Sequence, residues 1–139
     1  MLDEVDHRII QILKENSRLT WKEIGEKVYL TGQAVGARIR RLEEAGVIRA
    51  YTVDLDYKKL DRPITALVTV IMKTENHGAF RAFVKSRGNI SEAFRISGSG
   101  CYWLKIQERD QESLNSLLDE ILAYGNYSIN LVIDNLMSP

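Results

Sequence analysis

Residues Thr20 to Ile48, TWKEIGEKVYLTGQAVGARIRRLEEAGVI, constrain the fold more than any other stretch, because they hold two short helical patterns joined by a tight connection. The first opens at Thr20, an N-cap candidate with Glu23 three positions on, and puts Ile24 and Val28 on one face. The second opens at Thr31 and carries Val35, Ile39 and Leu42 at i, i+4 and i+7, which makes a single buried stripe. Stepping about 100° per residue from Val35 places Gln33, Gly36, Ala37 and Arg40 on the far side, with Ala34 and Arg41 flanking. That far side is small and basic. From Thr31 to Leu42 there are three arginines, Arg38, Arg40 and Arg41, and no acid.

Gly25 inside the first pattern allows close crossing, so the pair has the spacing of a helix-turn-helix, whose second helix enters the major groove while the first crosses the backbone. The expected DNA-facing set is Trp21, Lys22, Thr31, Gly32, Gln33, Gly36, Ala37, Arg38, Arg40 and Arg41. Within it, Gln33, Gly36, Ala37 and Arg40 are expected to read bases, and Lys22, Arg38 and Arg41 to hold phosphates. Trp21 suits packing or DNA contact equally, and Arg38, nearer the buried stripe, suits a structural bond as well as a phosphate. Tyr29 occupies a turn position where such motifs often carry glycine, and a positive φ there would be strained. Gly46 reads as the helix stop, with Val47 and Ile48 beginning an extended segment.

Ahead of this pair, Asp3 to Asn16 reads as a helix with acids in its first turn and Val5, Ile9, Ile12 and Leu13 as its stripe. After it, Ala50 to Leu60 reads as a strand and linker ended by Pro63. From Ile64 the pattern becomes strand, helix, strand, strand, helix, strand: Ile64 to Lys73, Asn76 to Arg87, Ile90 to Ser97, Cys101 to Gln107, Asp110 to Tyr124 and Tyr127 to Leu136. Gly98, Ser99 and Gly100 supply a hairpin between the two middle strands. The order is that of a ferredoxin-like βαββαβ sandwich. The expected class is therefore α+β, divided into residues 1–50 for DNA binding, 51–63 as strand and linker, and 64–139 for oligomerisation and effector binding. One face of such a sheet stays bare, and apolar residues on it call for a second copy of the chain.

The string from Leu30 to Ile48, with Arg38, the Arg41-Leu42-Glu43 run, Gly46-Val47-Ile48 and then Tyr51, resembles the Lrp/AsnC family of bacterial and archaeal feast/famine transcriptional regulators. The resemblance spans essentially the whole chain. It implies a winged helix-turn-helix joined to the sandwich, homodimers that assemble further, with an octamer expected, and double-stranded DNA as partner. It also implies an amino-acid effector held between dimers near the hairpin ISGSGCYWLKI, which nominates Ser97, Gly98, Ser99, Gly100, Cys101 and Tyr102. Family members commonly have an aspartate where this chain has Cys101, and a carboxylate there would suit an effector's ammonium.

Formal net charge is zero, from 19 basic and 19 acidic residues, and residues 1–50 carry nine Lys/Arg against eight Asp/Glu. DNA binding must then rest on local clustering and on repetition by self-association. The chain begins with acids where a secretory signal would be basic, and its most apolar run, Ala66 to Met72, is too short for a bilayer. With a single cysteine, these features lead to a cytoplasmic, nucleoid-associated location without membrane contact. No cofactor or metal is expected, since His7 and His77 have no cysteine or histidine partners at ligand spacing. Two other readings compete: an architectural protein wrapping DNA with little sequence preference, and an enzyme with Cys101 as nucleophile, which would need a base that the sequence does not place.

Overall fold

The computed structural model describes residues 1–137, which divide into two compact units with the boundary between Asp54 and Leu55. In the first, α1 (Glu4–Glu15), α2 (Trp21–Val28) and α3 (Gly32–Glu44) enclose Ile9, Ile24, Val28, Val35 and Ile39, with Val5, Ile12, Leu13, Leu19, Leu30 and Ile48 packed around them. The stripes read from the sequence are the ones that are buried. Each helix starts on a side-chain cap: Asp3 accepts from the Asp6 amide, Thr20 from Glu23 and Thr31 from Ala34. Asp3 and Asp6 form a reciprocal capping box. Gly46 takes φ +73° and the amide of Val47 returns to the Leu42 carbonyl at 2.9 Å, which stops α3.

Two glycines set the crossing of α2 and α3. A Cβ on Gly25 would stand 2.3 Å from the Leu30 carbonyl oxygen, and one on Gly32 would stand 3.2 Å from the Lys22 amide nitrogen. The turn between them is closed by Tyr29 with φ 60° and ψ 42°, the left-handed region. Its side chain is 89% exposed, so no burial offsets the backbone cost. Tyr29→Gly is therefore expected to stabilise this unit by about 1 kcal/mol, read as a higher urea midpoint. An unchanged or lower midpoint would mean that the phenol makes stabilising contacts of its own.

The extended segment after α3 departs from expectation. Residues 49–56 pair with no strand among the described residues, and Tyr57–Leu60 forms a 3-10 turn rather than extended chain. The cause is local: the Asp56 carboxylate caps the Lys58 amide at 3.1 Å, and Asp61 ends the turn at φ 58°. Tyr51, Val53 and Leu55 consequently stand exposed.

The second unit is an antiparallel sheet in the order β2-β3-β1-β4, built from β1 (Ile64–Met72), β2 (Ile90–Arg95), β3 (Tyr102–Glu108) and β4 (Gly125–Leu131), with α4 (His77–Ser86) and α5 (Gln111–Ile121). This is the ferredoxin-like arrangement. Ala66, Val68 and Val70 of β1 and Tyr102, Leu104 and Ile106 of β3 are buried with Phe80 and Phe83 of α4 and Leu114, Leu117, Leu118 and Ile121 of α5. Alternate residues form the other face, where Thr69 lies opposite Trp103 and Phe94 opposite Trp103 on the other flank. Ile71 and Phe94 on that face are exposed.

The last strand is shifted from its expected span, Tyr127 to Leu136. It begins at Gly125, which pairs with Met72 where a Cβ would meet the Ile71 carbonyl at 2.3 Å. Its ladder ends at Leu131, with one further bond from the Val132 amide to Thr65. Beyond this point β1 has run out, since Pro63 has no amide hydrogen to offer.

Candidate nucleic-acid interface and effector loop

The helix-turn-helix brings the amino-terminal ends of α2 and α3 side by side, because Gly32 sits against the backbone of Trp21 and Lys22. The first turns of both helices thus converge, with the backbone of Lys22 beside Gly32, and the amides that Thr20 and Thr31 leave uncapped make an arrangement suited to anions. Along α3, Gln33, Ala37 and Arg40 are exposed, as is Thr31 at its cap. No carboxylate lies on α3 between its start and Leu42.

Gly36 does not belong to that exposed face. It is buried beneath the indole of Trp21, whose ring carbons lie 2.3 to 2.8 Å from where a Cβ would be. A side-chainless position one step from Val35 is open to either side, and here Trp21 fills it. The ambiguity over Trp21 resolves in the same contact: the indole packs on α3, remains 40% exposed, and carries the Arg40 guanidinium over its ring at 5.0 Å. Arg40 is thereby held by a cation–π contact rather than left as a free rotor.

Arg38 makes the structural bond that its place beside the buried stripe allowed, and Arg41, expected only at phosphates, is held by the same acids. Arg38 Nη1 donates to both oxygens of Asp3, at 2.8 and 2.7 Å, and to Asp6 Oδ1 at 3.0 Å. Arg41 Nη2 donates to both oxygens of Asp6 at 3.1 Å. Two of the three α3 arginines therefore neutralise the α1 capping box, and Asp6 is buried between them. The acids respond accordingly. The Arg38 hydrogen bond, helped by the Asp6 amide, lowers the Asp3 carboxyl from 3.8 to about 2. Burial of Asp6 opposes its ionisation but is outweighed by the bonds from the Asp3 amide and Arg38 and by the charge of Arg41, so its pKa is lowered too. Sequence reasoning missed Asp3 and Asp6 as site-shaping residues; the Asp-x-x-Asp capping pattern was the available signal.

In the second unit, residues 96–101 connect β2 to β3. The loop is closed by the Ile96 amide on the Cys101 carbonyl at 3.0 Å and tied to β1 by the Cys101 amide on the Val70 carbonyl at 2.8 Å. Ser97, Gly98 and Ser99 are exposed, with Gly98 at φ 96°. Gly100 is buried because a Cβ there would meet Thr69 Cγ2 at 2.3 Å, and Cys101 is half-buried against the sheet core. Tyr102 departs from the loop set. Its ring is in the core, 4.8 Å from Phe80, and its hydroxyl bonds His77 Nδ1 at 2.7 Å. The strand alternation that buries Leu104 and Ile106 buries Tyr102 as well.

Among the described residues there is no cluster of three or more potential metal-binding His, Cys, Asp or Glu side chains, and no helix is long and apolar enough to cross a membrane.

Comparison with known proteins agrees with this division. Residues 2–49 match the family model described as winged helix-turn-helix DNA-binding, and residues 65–138 match the Lrp/AsnC ligand binding domain. The chain is 46% identical over 132 residues to the HTH-type transcriptional regulator LrpB of Bacillus subtilis, covering 95% of this chain and 89% of that protein. It superimposes on the structure of B. subtilis LrpC with a TM-score of 0.95 at 31% identity, covering 100% of this chain and 99% of that one. The transcriptional regulator NMB0573 of Neisseria meningitidis, solved as a complex with L-Met, gives a TM-score of 0.92 at 26% identity, covering 99% and 94% of the two chains.

Proposed function

The chain belongs to the Lrp/AsnC family of transcriptional regulators, and we propose that it reads double-stranded DNA in a sequence-specific manner with the outer side of α3 and answers to a small amino-acid-like effector. The observation that carries this reading is the acid-free exposed face of Gln33, Ala37 and Arg40, set beside Lys22 and the paired helix ends. Gln33 and Arg40 are the bidentate readers of adenine and guanine, and the small Ala37 lets the helix sit deep in the groove. Lys22 and the amides of Thr31 and Gly32 hold phosphates. Residues 1–50 would carry this task, with residues 64–139 carrying assembly and effector and 51–63 joining them.

Arg40→Ala tests the reading. It is expected to cost about 1 to 3 kcal/mol on operator DNA and to relax the preferred sequence at one base pair, whereas Lys22→Ala weakens all sequences alike and lowers the salt slope by about 1. Selection of bound DNA from a random pool, followed by competition at fixed salt, reads both. Equal affinity of the unaltered protein for selected and random DNA is the result that an architectural protein would give, and it would overturn the assignment.

On this reading the effector binds at the loop of Ser97, Gly98, Ser99, Gly100 and Cys101. The L-Met complex of the Neisseria protein supports an amino acid as the class of ligand. The exposed Ile71 and Phe94 on the open sheet face support a homodimer, with further assembly towards an octamer. Such a regulator acts in the cytoplasm on the nucleoid and needs no catalysis.

A further inference from the structure

A groove of about 310 Å³ opens between α4 and the edge strand β2, on the helix side of the sheet. Phe80, Tyr102 and Leu104, all buried, and the half-buried Val84 give it an apolar lining, with Ala93 on β2. The remaining polar character is cationic: Arg81 and Lys85, one turn apart on α4, and Arg95 on β2. The strand register puts Arg95 on the same side as Ala93, since these two face Tyr102 and Leu104. No carboxylate lines the groove, and α4 contains none. Among the described residues the three cations form no ion pair; the one acid of β2, Glu92, lies opposite Lys105 and pairs with it at 3.4 Å. Like charges at one-turn spacing repel, so the cluster works against the local fold unless an anion joins it.

We propose that this groove binds a small carboxylate with an apolar body and no ammonium group, of the arylalkanoic or 2-oxo acid kind. Guanidiniums from two different elements grip a carboxylate in a defined orientation, with Lys85 adding charge. The apolar lining takes the tail, and the volume lies at the lower end of the roughly 300–1,000 Å³ usual for small-molecule sites. The absence of any acid is what selects the class: an amino acid's ammonium would be set among three cations with no carboxylate to offset its charge. The groove adjoins the effector loop, since Arg95 and Tyr102 flank it, but none of Ser97–Cys101 lines it; the inference goes beyond the amino-acid reading and does not rest on it.

Calorimetry on the full chain with 4-phenylbutyrate, 4-phenylbutyramide and 2-amino-4-phenylbutanoate tests the proposal. The carboxylate is expected to bind, with the amide and the amino acid each weaker by about tenfold or more. Arg81→Gln with Arg95→Gln should weaken 4-phenylbutyrate by about tenfold without lowering the thermal midpoint of the ligand-free chain, and Ala93→Phe should block it by filling the groove. Lys85→Gln, the milder change, should give about threefold and serves if the double variant folds poorly. Equal binding of the amide, tight binding of the amino acid, undiminished binding to the variants, or no heat at millimolar ligand each overturns it. So does a change in solution mass on Arg81→Gln with Arg95→Gln, which would make the groove a contact between copies of the chain.

Discussion

Gly25→Ala is expected to destabilise the helix-turn-helix unit by about 2 kcal/mol, and Gly25→Val to leave it largely unfolded with DNA binding lost. The reason is where the turn lies. A Cβ at residue 25 would stand 2.3 Å from the Leu30 carbonyl oxygen and 3.3 Å from carbonyl carbons of Leu30 and Thr31, and these are backbone atoms that cannot rotate away. The same turn is pinned to Gly25 by the Leu30 amide, which donates to the Gly25 carbonyl at 3.0 Å. Relief would require moving the start of α3, and with it the alignment of Lys22 with Gly32. Helix propensity favours alanine over glycine by about 1 kcal/mol, which offsets part of the clash for alanine but not for the bulkier, β-branched valine. Urea unfolding followed by Trp21 fluorescence, in a Trp103→Phe background that leaves a single reporter, measures the effect. The sheet unit should keep its own transition, as seen by circular dichroism. A neutral or stabilising Gly25→Ala would show that the two helices cross with more room than the geometry allows.

What was legible in the sequence was whatever a residue's own neighbours decide. Val35, Ile39 and Leu42 are buried because their spacing leaves one face for them, and Thr20, Thr31 and Gly46 end helices through bonds spanning three to five residues. Strand alternation likewise sorted Leu104 and Ile106 from Trp103 and Lys105. The misplacements arose where a distant residue decides. Gly36 has no side chain to declare a side, so Trp21, fifteen positions earlier, chooses for it. The acids that hold Arg38 and Arg41 sit 32 to 35 residues away at the start of α1, so a structural bond could be suspected for Arg38 but its partner could not be named, and Arg41 gave no sign of one. Tyr51, Val53 and Leu55 alternate as a strand should, yet no strand in the described chain lies beside them. Of the loop set, Ser97 to Ser99 stayed at the exposed tip, while Tyr102 followed its strand into the core.

The Asp3–Asp6–Arg38–Arg41 cluster carries the other large expected effect: Asp6→Ala should cost the helix-turn-helix unit about 3 kcal/mol at neutral pH. The Asp6 carboxylate is fully buried and accepts from Arg38, from Arg41 twice and from the Asp3 amide, so its removal takes away the reciprocal half of the α1 capping box and its share of the tie between α1 and α3 together. Arg41 is 60% exposed and regains water, and Arg38 keeps Asp3, which is why the loss falls short of the sum of four charged bonds. The pH dependence has a definite sign. Both carboxyls titrate below their ordinary range when folded, Asp3 at about 2 against 3.8, so the stability they contribute is fully present above pH about 4 and is lost as the pH falls towards 2. Asp6→Asn, nearly isosteric, should therefore lower the urea midpoint at pH 7 and make its decline between pH 4 and 2 shallower than in the unaltered chain. DNA affinity at neutral pH supplies the control. If the freed Arg38 and Arg41 served as phosphate contacts, Asp6→Asn would strengthen binding and steepen its salt dependence; the structural role assigned to them expects neither while the unit stays folded.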